Sequence, residues 1–247
     1  MISDGWLKQV WMLFWWERPW LPALIWALKY ENWQAGELMV WIKICGITNL
    51  ADAETATAFG ANALGFVFAP SKRKVEPDTA RQIIKALPPE VEKIGVFVNE
   101  EVTRVKEIAN YCGLTGLQLH GEESPEYCSC LQNYEVIKAF RVNNRIEGQS
   151  IKPYVVNQCI DKILLDTYVP QQLGGTGKTF PWEIVKEQEW EVPVIIAGGL
   201  NAGNVARAVR LGKPFGVDVA SGVEKEPGKK DPAKLKAFIE KARGLEK

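Results

Sequence analysis

From Ile42 onward, short apolar runs alternate with longer stretches whose apolar residues recur at helical spacing. The runs cover residues 42–45, 63–68, 93–98, 116–120, 135–140, 162–166, 193–197 and 215–219. Each is too short for a helix, and β-branched and aromatic residues are frequent in them, so they are predicted as buried strands. Successive runs begin about 19 to 31 residues apart, the length of one strand–helix unit. Helix start signals lie between them. Asn49 precedes the first helical stretch, Pro77-Asp78 opens one that ends at Leu87, and Asn99 stands ahead of Glu100-Glu101. Ser124-Pro125 and Asp231-Pro232 each place a capping side chain before a first-turn proline. Asn201 is read as a cap after Gly198-Gly199, and the fifth helix falls within 144–157.

Eight strands and eight helices in strict alternation fit a closed (β/α)8 barrel or an open doubly wound sheet. Eight units in about 205 residues match the lower size limit of the barrel. No Gly-x-Gly-x-x-Gly follows the first strand, as a dinucleotide-binding sheet would require. A single-domain α/β TIM barrel is therefore expected.

Composition narrows the partners. The 247 residues are 47% hydrophobic and 24% charged, an ordinary soluble composition. Lys plus Arg equals Asp plus Glu at 30 each, so the basic excess of a nucleic-acid binder is missing. The five cysteines, Cys45, Cys112, Cys128, Cys130 and Cys159, are irregularly spaced and odd in number. They read as reduced thiols in a cytoplasmic protein.

Tryptophan is distributed unevenly: eight of ten lie within the first 41 residues, and only Trp182 and Trp190 follow. Residues 1–38 are accordingly set apart as a Trp-rich extension, with the barrel assigned to 39–247. The extension's longest charge-free runs, 9–16 and 19–28, are separated by Glu17 and Arg18, and Pro19 and Pro22 interrupt them. They are too short and too broken to span a bilayer, which leaves attachment at a membrane surface as the one membrane mode. The extension is expected to be a start-site artefact or dispensable, ahead of a docking helix.

In such a barrel the chemistry sits at the C-terminal ends of the strands. The residues there are Cys45-Gly46, 69–73 with Arg73, Asn99, His120-Gly121, Arg141, Asp166-Thr167, Gly198-Gly199 and 218–222. Strand alternation puts Lys43 and Cys45 on one face and Ile42 and Ile44 on the other, so Cys45 points into the barrel mouth. There it is either a nucleophile or base as the thiolate, or a small space-filling residue. Asp166 ends a run of Ile and Leu, a partly desolvated setting suited to a general acid, or it caps a loop. Asp218 is placed to bind a sugar hydroxyl or to neutralise a lysine. His120 is the only histidine, and its spacing to Cys112, Cys128 and Cys130 is wrong for tetrahedral zinc, so no metal is expected. Gly198 and Gly199 after the seventh strand, with Ser221 and Gly222 after the eighth, occupy the two loops where this fold often holds phosphate on backbone N–H groups. Gly174, Gly175 and Gly177 resemble a nucleotide loop, but position 172 is Gln where that pattern needs Gly. They are read as hinges of a mobile lid.

The segments KICGITN at 43–49, GFVF at 65–68 with SKR at 71–73, GVFVN at 95–99 and LQLHG at 117–121 resemble phosphoribosylanthranilate isomerase. So do LLDT at 164–167, GGTGKTF at 174–180, AGGLN at 197–201, and VDVASGVE at 217–224 with PGKKD at 227–231. The likeness runs from about Val40 to the C-terminus. The first 38 residues have no counterpart in the family, and the loop after the second strand is one residue shorter than its usual pattern. The resemblance implies an Amadori rearrangement in tryptophan biosynthesis, converting an aminoaldose, phosphoribosylanthranilate, to an aminoketose. It assigns Asp166 as general acid at the ribose ring oxygen and Cys45 as general base at C2′. It also assigns Arg73 to the anthranilate carboxylate; Asp218 is expected to bind the substrate, as is His120, although a lone histidine is more often structural. A cationic Schiff base is its own electron sink, so no cofactor is implied. The expected partner is a small phosphosugar, and the expected state a monomer or homodimer. The alternatives are the sister isomerase of histidine biosynthesis, a phosphate-ligand barrel without catalysis, and an aldolase using Lys138. The sister family carries Asp where this chain has Cys45.

Overall fold

The computed structural model describes residues 40–143, 145–146, 148–167 and 179–244. The Trp-rich extension and the lid glycines Gly174, Gly175 and Gly177 lie outside the described residues. The chain divides into two compact units between Met39 and Val40.

Eight strands pair in parallel, β1 (Trp41–Cys45), β2 (Ala63–Val67), β3 (Glu92–Phe97), β4 (Gly116–Leu119), β5 (Glu135–Val142), β6 (Lys162–Thr167), β7 (Val194–Ile196) and β8 (Gly216–Val219). Strand β1 pairs with both β2 and β8, which closes the barrel. Among the described residues the helices are α1 (Leu50–Ala58), α2 (Pro77–Ala86), α3 (Val102–Cys112), α4 (Pro125–Ser129), α5 (Gly148–Val156), α6 (Glu183–Lys186), α7 (Val205–Gly212) and α8 (Pro232–Ala242). Every expected strand is present, with ends moved by a residue or two.

Local chemistry explains most helix starts. The side chains of Asn49, Ser124 and Asp231 accept backbone N–H bonds in the first turns of α1, α4 and α8. Two expected caps are corrected. Asn99 has a left-handed backbone (φ 49) three residues before α3, and its side chain accepts from Glu122 N instead. Asn201 folds its side chain onto Gly203 N, and α7 starts after Asn204.

Alternation along each strand sorts side chains into two sets. Ile42, Ile44, Leu64, Phe66, Leu117, Ile163 and Leu165 point outward into the core beneath the helices. At the N-terminal end of the barrel, Lys162 is fully buried between Glu92 and Glu135, its ammonium 4.9 Å from the Trp41 ring centroid. The Trp41 indole donates to Glu92 at 3.2 Å. Trp41 is thus a barrel residue.

After β8 the chain makes a short 3-10 turn (Ser221–Val223) and a hairpin, β9 (Glu224–Glu226) with β10 (Lys229–Lys230). The hairpin is tied to the loop after β1: Thr48 Oγ1 donates to Gly228 O at 2.5 Å, and Lys230 Nζ donates to Cys45 O at 2.6 Å.

Candidate active site

At the C-terminal end of the barrel one cavity is lined by Cys45, Arg73, Gln118, His120, Arg141, Asp166 and Asp218, with Gly198, Gly199 and Ser221 at one side. The sequence positions chosen from strand ends therefore converge. Gly222 does not line this cavity. A side chain there would collide with the Leu200 carbonyl, so its role is to let the loop after β8 cross the loop after β7.

The inward face of β1 carries Lys43 and Cys45, as alternation requires. Lys43 is fully buried, and its ammonium lies 2.9 Å from Asp218 Oδ1 and 2.8 Å from Gln118 Oε1. Asp218 thus neutralises a lysine, one of the two uses expected for it. Burial opposes the charge on Lys43, but Asp218 and Cys45 outweigh it and raise its pKa above the ordinary lysine value. Burial likewise pushes the Cys45 thiol up; the Lys43 and Lys230 ammoniums oppose that rise without cancelling it. Room for the sulfur comes from Gly65 on β2, where a Cβ would stand 2.8 Å from Cys45 Sγ.

Asp166, near the end of β6, is 9% exposed. Its Oδ2 lies 3.2 Å from His120 Nε2. Gly198 (φ +82) packs against its other side, and a Cβ there would come within 2.6 Å of Oδ1. His120 Nδ1 is in turn 2.9 Å from Gln118 Nε2.

Arg73 is already gripped. Its Nε and Nη2 donate to the two oxygens of Glu224, each at 2.8 Å, a bidentate pair. Burial works against ionisation of Glu224, yet the bonds from Arg73 and Lys230 hold its carboxyl below the usual range. Lys230, itself buried, joins this carboxylate to the carbonyl of Cys45. Sequence reasoning assigned no role to Glu224, Lys230 or Gln118. The signal it passed over was an inward strand position for Gln118 and charged residues within a short turn-rich segment for the other two.

Lys138 is not at the site. Its ammonium is buried 3.0 Å from Glu123 and bonds three backbone carbonyls, which removes the geometric basis for a Schiff base. All five cysteines are free thiols. Among the described residues no group of three or more His, Cys, Asp or Glu side chains could hold a metal, and no helix is long and apolar enough to cross a membrane.

Comparison with known proteins agrees with this geometry. Residues 42–241 match the family model of N-(5'-phosphoribosyl)anthranilate isomerase. The isomerase of that name from Desulforudis audaxviator is 52% identical over 207 residues, 83% of this chain and 98% of that one. The crystal structure of phosphoribosyl anthranilate isomerase from Thermotoga maritima superposes with a TM-score of 0.76 at 45% identity, covering 84% of this chain and all of that one. A phosphoribosyl anthranilate isomerase in complex with reduced 1-(o-carboxyphenylamino)-1-deoxyribulose 5-phosphate is 41% identical with a TM-score of 0.71, over the same shares of each chain. With its barrel, its strand-end residues and these relatives in agreement, the chain belongs to the N-(5'-phosphoribosyl)anthranilate isomerase family.

Proposed function

We propose that the barrel isomerises N-(5'-phosphoribosyl)anthranilate to 1-(2-carboxyphenylamino)-1-deoxyribulose 5-phosphate, a step of tryptophan biosynthesis, with Asp166 as acid and Cys45 as base. The observation that carries the assignment is a thiol and a carboxyl on different strands, β1 and β6, facing one cavity. Asp166 gives a proton to the ribose ring oxygen, the C1′–oxygen bond breaks, and a Schiff base forms with the anthranilate nitrogen. The Cys45 thiolate removes the C2′ proton, and the electron pair moves to the cationic Schiff base to give an enolamine. Loss of the enol proton and protonation at C1′ give the aminoketose. The thiol and the carboxylate then exchange one proton with solvent to restore the starting pair.

The rest of the cavity is divided accordingly. Arg73 takes the anthranilate carboxylate with the edge of its fork that Glu224 leaves open. Asp218 and His120 flank the sugar, and Gly198, Gly199 and Ser221 supply the phosphate site from two adjoining loops, with Gly222 serving only to let those loops cross. The chemistry draws on no cofactor in this reading. The Thermotoga maritima relative is described as dimeric, and a monomer or homodimer is proposed for this chain. Its free thiols suit the cytoplasm.

The test is an assay with purified protein that follows loss of phosphoribosylanthranilate fluorescence. Asp166→Asn is expected to lower kcat by about 10²–10⁴-fold, because an amide cannot protonate the ring oxygen. Retention of more than about a tenth of kcat would remove Asp166 from the acid role.

A further inference from the structure

We propose that Gln118 is a positioning residue that locks His120 in the neutral tautomer protonated on Nε2, and so confines the acidic proton of Asp166 to Oδ1. This rests on the reading of Asp166 as the general acid.

The polarity of the chain starts at Lys43. An ammonium has three donors and no lone pair. Lys43 is fully buried, paired with Asp218, and held charged. It donates at 2.8 Å to Gln118 Oε1. The opposite amide orientation would set the Gln118 NH2 against the ammonium, donor against donor. With its oxygen fixed on Lys43, Gln118 can offer only N–H to His120 Nδ1, 2.9 Å away. That ring nitrogen must accept, so it carries no proton. A neutral imidazole then has its one proton on Nε2, which lies 3.2 Å from Asp166 Oδ2. Gln118 is 1% exposed, so solvent offers the amide no replacement partner.

The consequence falls on the acid. Oδ2 receives a hydrogen bond and is a poor seat for a proton, whereas Oδ1 lies beside Gly198, where the absence of a Cβ leaves it clear. As the proton leaves Oδ1 for the ring oxygen, the bond from His120 becomes charge-assisted and stabilises the carboxylate that forms. The other tautomer would turn Nε2 into an acceptor and draw the acidic proton onto Oδ2, into a bond with the ring.

His120 is the only histidine in the chain, so its two ring nitrogens give an uncrowded signature in long-range 1H–15N NMR. The expected spectrum of the unmodified protein near neutral pH has Nδ1 unprotonated and Nε2 protonated. A proton on Nδ1, in the other tautomer or in an imidazolium, overturns the proposal. This measurement stands even where a variant does not fold. Gln118→Glu replaces the donor facing Nδ1 with an acceptor and is expected to move a proton onto Nδ1. kcat should then fall by about ten- to a hundredfold with KM within about twofold. Gln118→Met, which can neither donate nor accept strongly, is expected to give a mixture of tautomers and a smaller loss. Two results overturn the link to catalysis: a Glu variant with Nδ1 protonated and kcat unchanged, or variants that lose kcat with the ring nitrogens as before. Failure of Asp166→Asn to lose activity would instead sink the acid assignment and leave the NMR result for the unmodified protein as it was.

Discussion

At the scale of single residues, the partners that aim the side chains were harder to read than the side chains themselves. Cys45 and Asp166 follow from strand alternation and the rule that barrel chemistry sits at strand ends, both local properties. Glu224 grips Arg73 from 151 positions away, and Gln118 meets Lys43 across 75; only closure of the barrel brings such pairs together. Removing that grip should weaken substrate binding more than chemistry. Glu224→Ala frees the Arg73 fork to wander, and steady-state kinetics should show KM raised about tenfold or more with a smaller change in kcat. An equal fall in kcat and kcat/KM would place Glu224 in the transition state instead. A second expectation follows from the raised thiol. Burial makes the Cys45 thiolate scarcer than that of an ordinary cysteine at a given pH. Alkylation of Cys45 by iodoacetamide should therefore quicken with pH through a midpoint above that of an exposed cysteine. A midpoint at or below the ordinary thiol value would contradict that placement.

Elements were the most legible level. Eight parallel strands, each buried on both faces, leave runs of Val, Ile, Leu and Phe that no solvent-facing segment would produce, and their spacing, with no Gly-x-Gly-x-x-Gly after the first, implied the barrel. What escaped was the use of polar residues in loops. Asn99 and Asn201 look like helix caps because Asn is a good cap, yet both are engaged in loop bonds that cross to Glu122 or fold back on Gly203. The β9–β10 hairpin was also missed, since two- and three-residue strands rich in Lys and Glu carry no apolar signal. The loops after β7 and β8 make the clearest element-level prediction. Gly199 has φ +66, a conformation a β-branched residue resists. Gly199→Val should raise KM for the phosphorylated substrate more than it lowers kcat, and should weaken competitive inhibition by inorganic phosphate. The reverse pattern would assign this loop to the chemical step.

For the whole molecule, closure is complete within the described residues: β1 begins at Trp41, pairs with β2 and β8, and needs no earlier strand. We accordingly propose 39–247 as the catalytic unit. A shortened chain beginning at Met39 should be as active as the full chain and melt within a few degrees of it. Aggregation of the shortened chain, or a larger drop in Tm, would mean that residues 1–38 cover an apolar face of the barrel. The steep fall in tryptophan content is what suggests this division in the sequence. Trp41 falls inside the proposed unit, and the fold places it at the barrel floor.

The hairpin has a bearing on how such an enzyme changes its diet. Glu224 steadies the arginine proposed to choose the substrate, and through Lys230 the same carboxylate is moored to the backbone of the residue proposed to take the proton. Selectivity and reactivity hang from one peg. A variant relieved of its demand for an acidic aromatic ring by loosening Glu224 would also unsettle Cys45. Broader taste is therefore expected to arrive with slower turnover, unless the change is made at Arg73 alone.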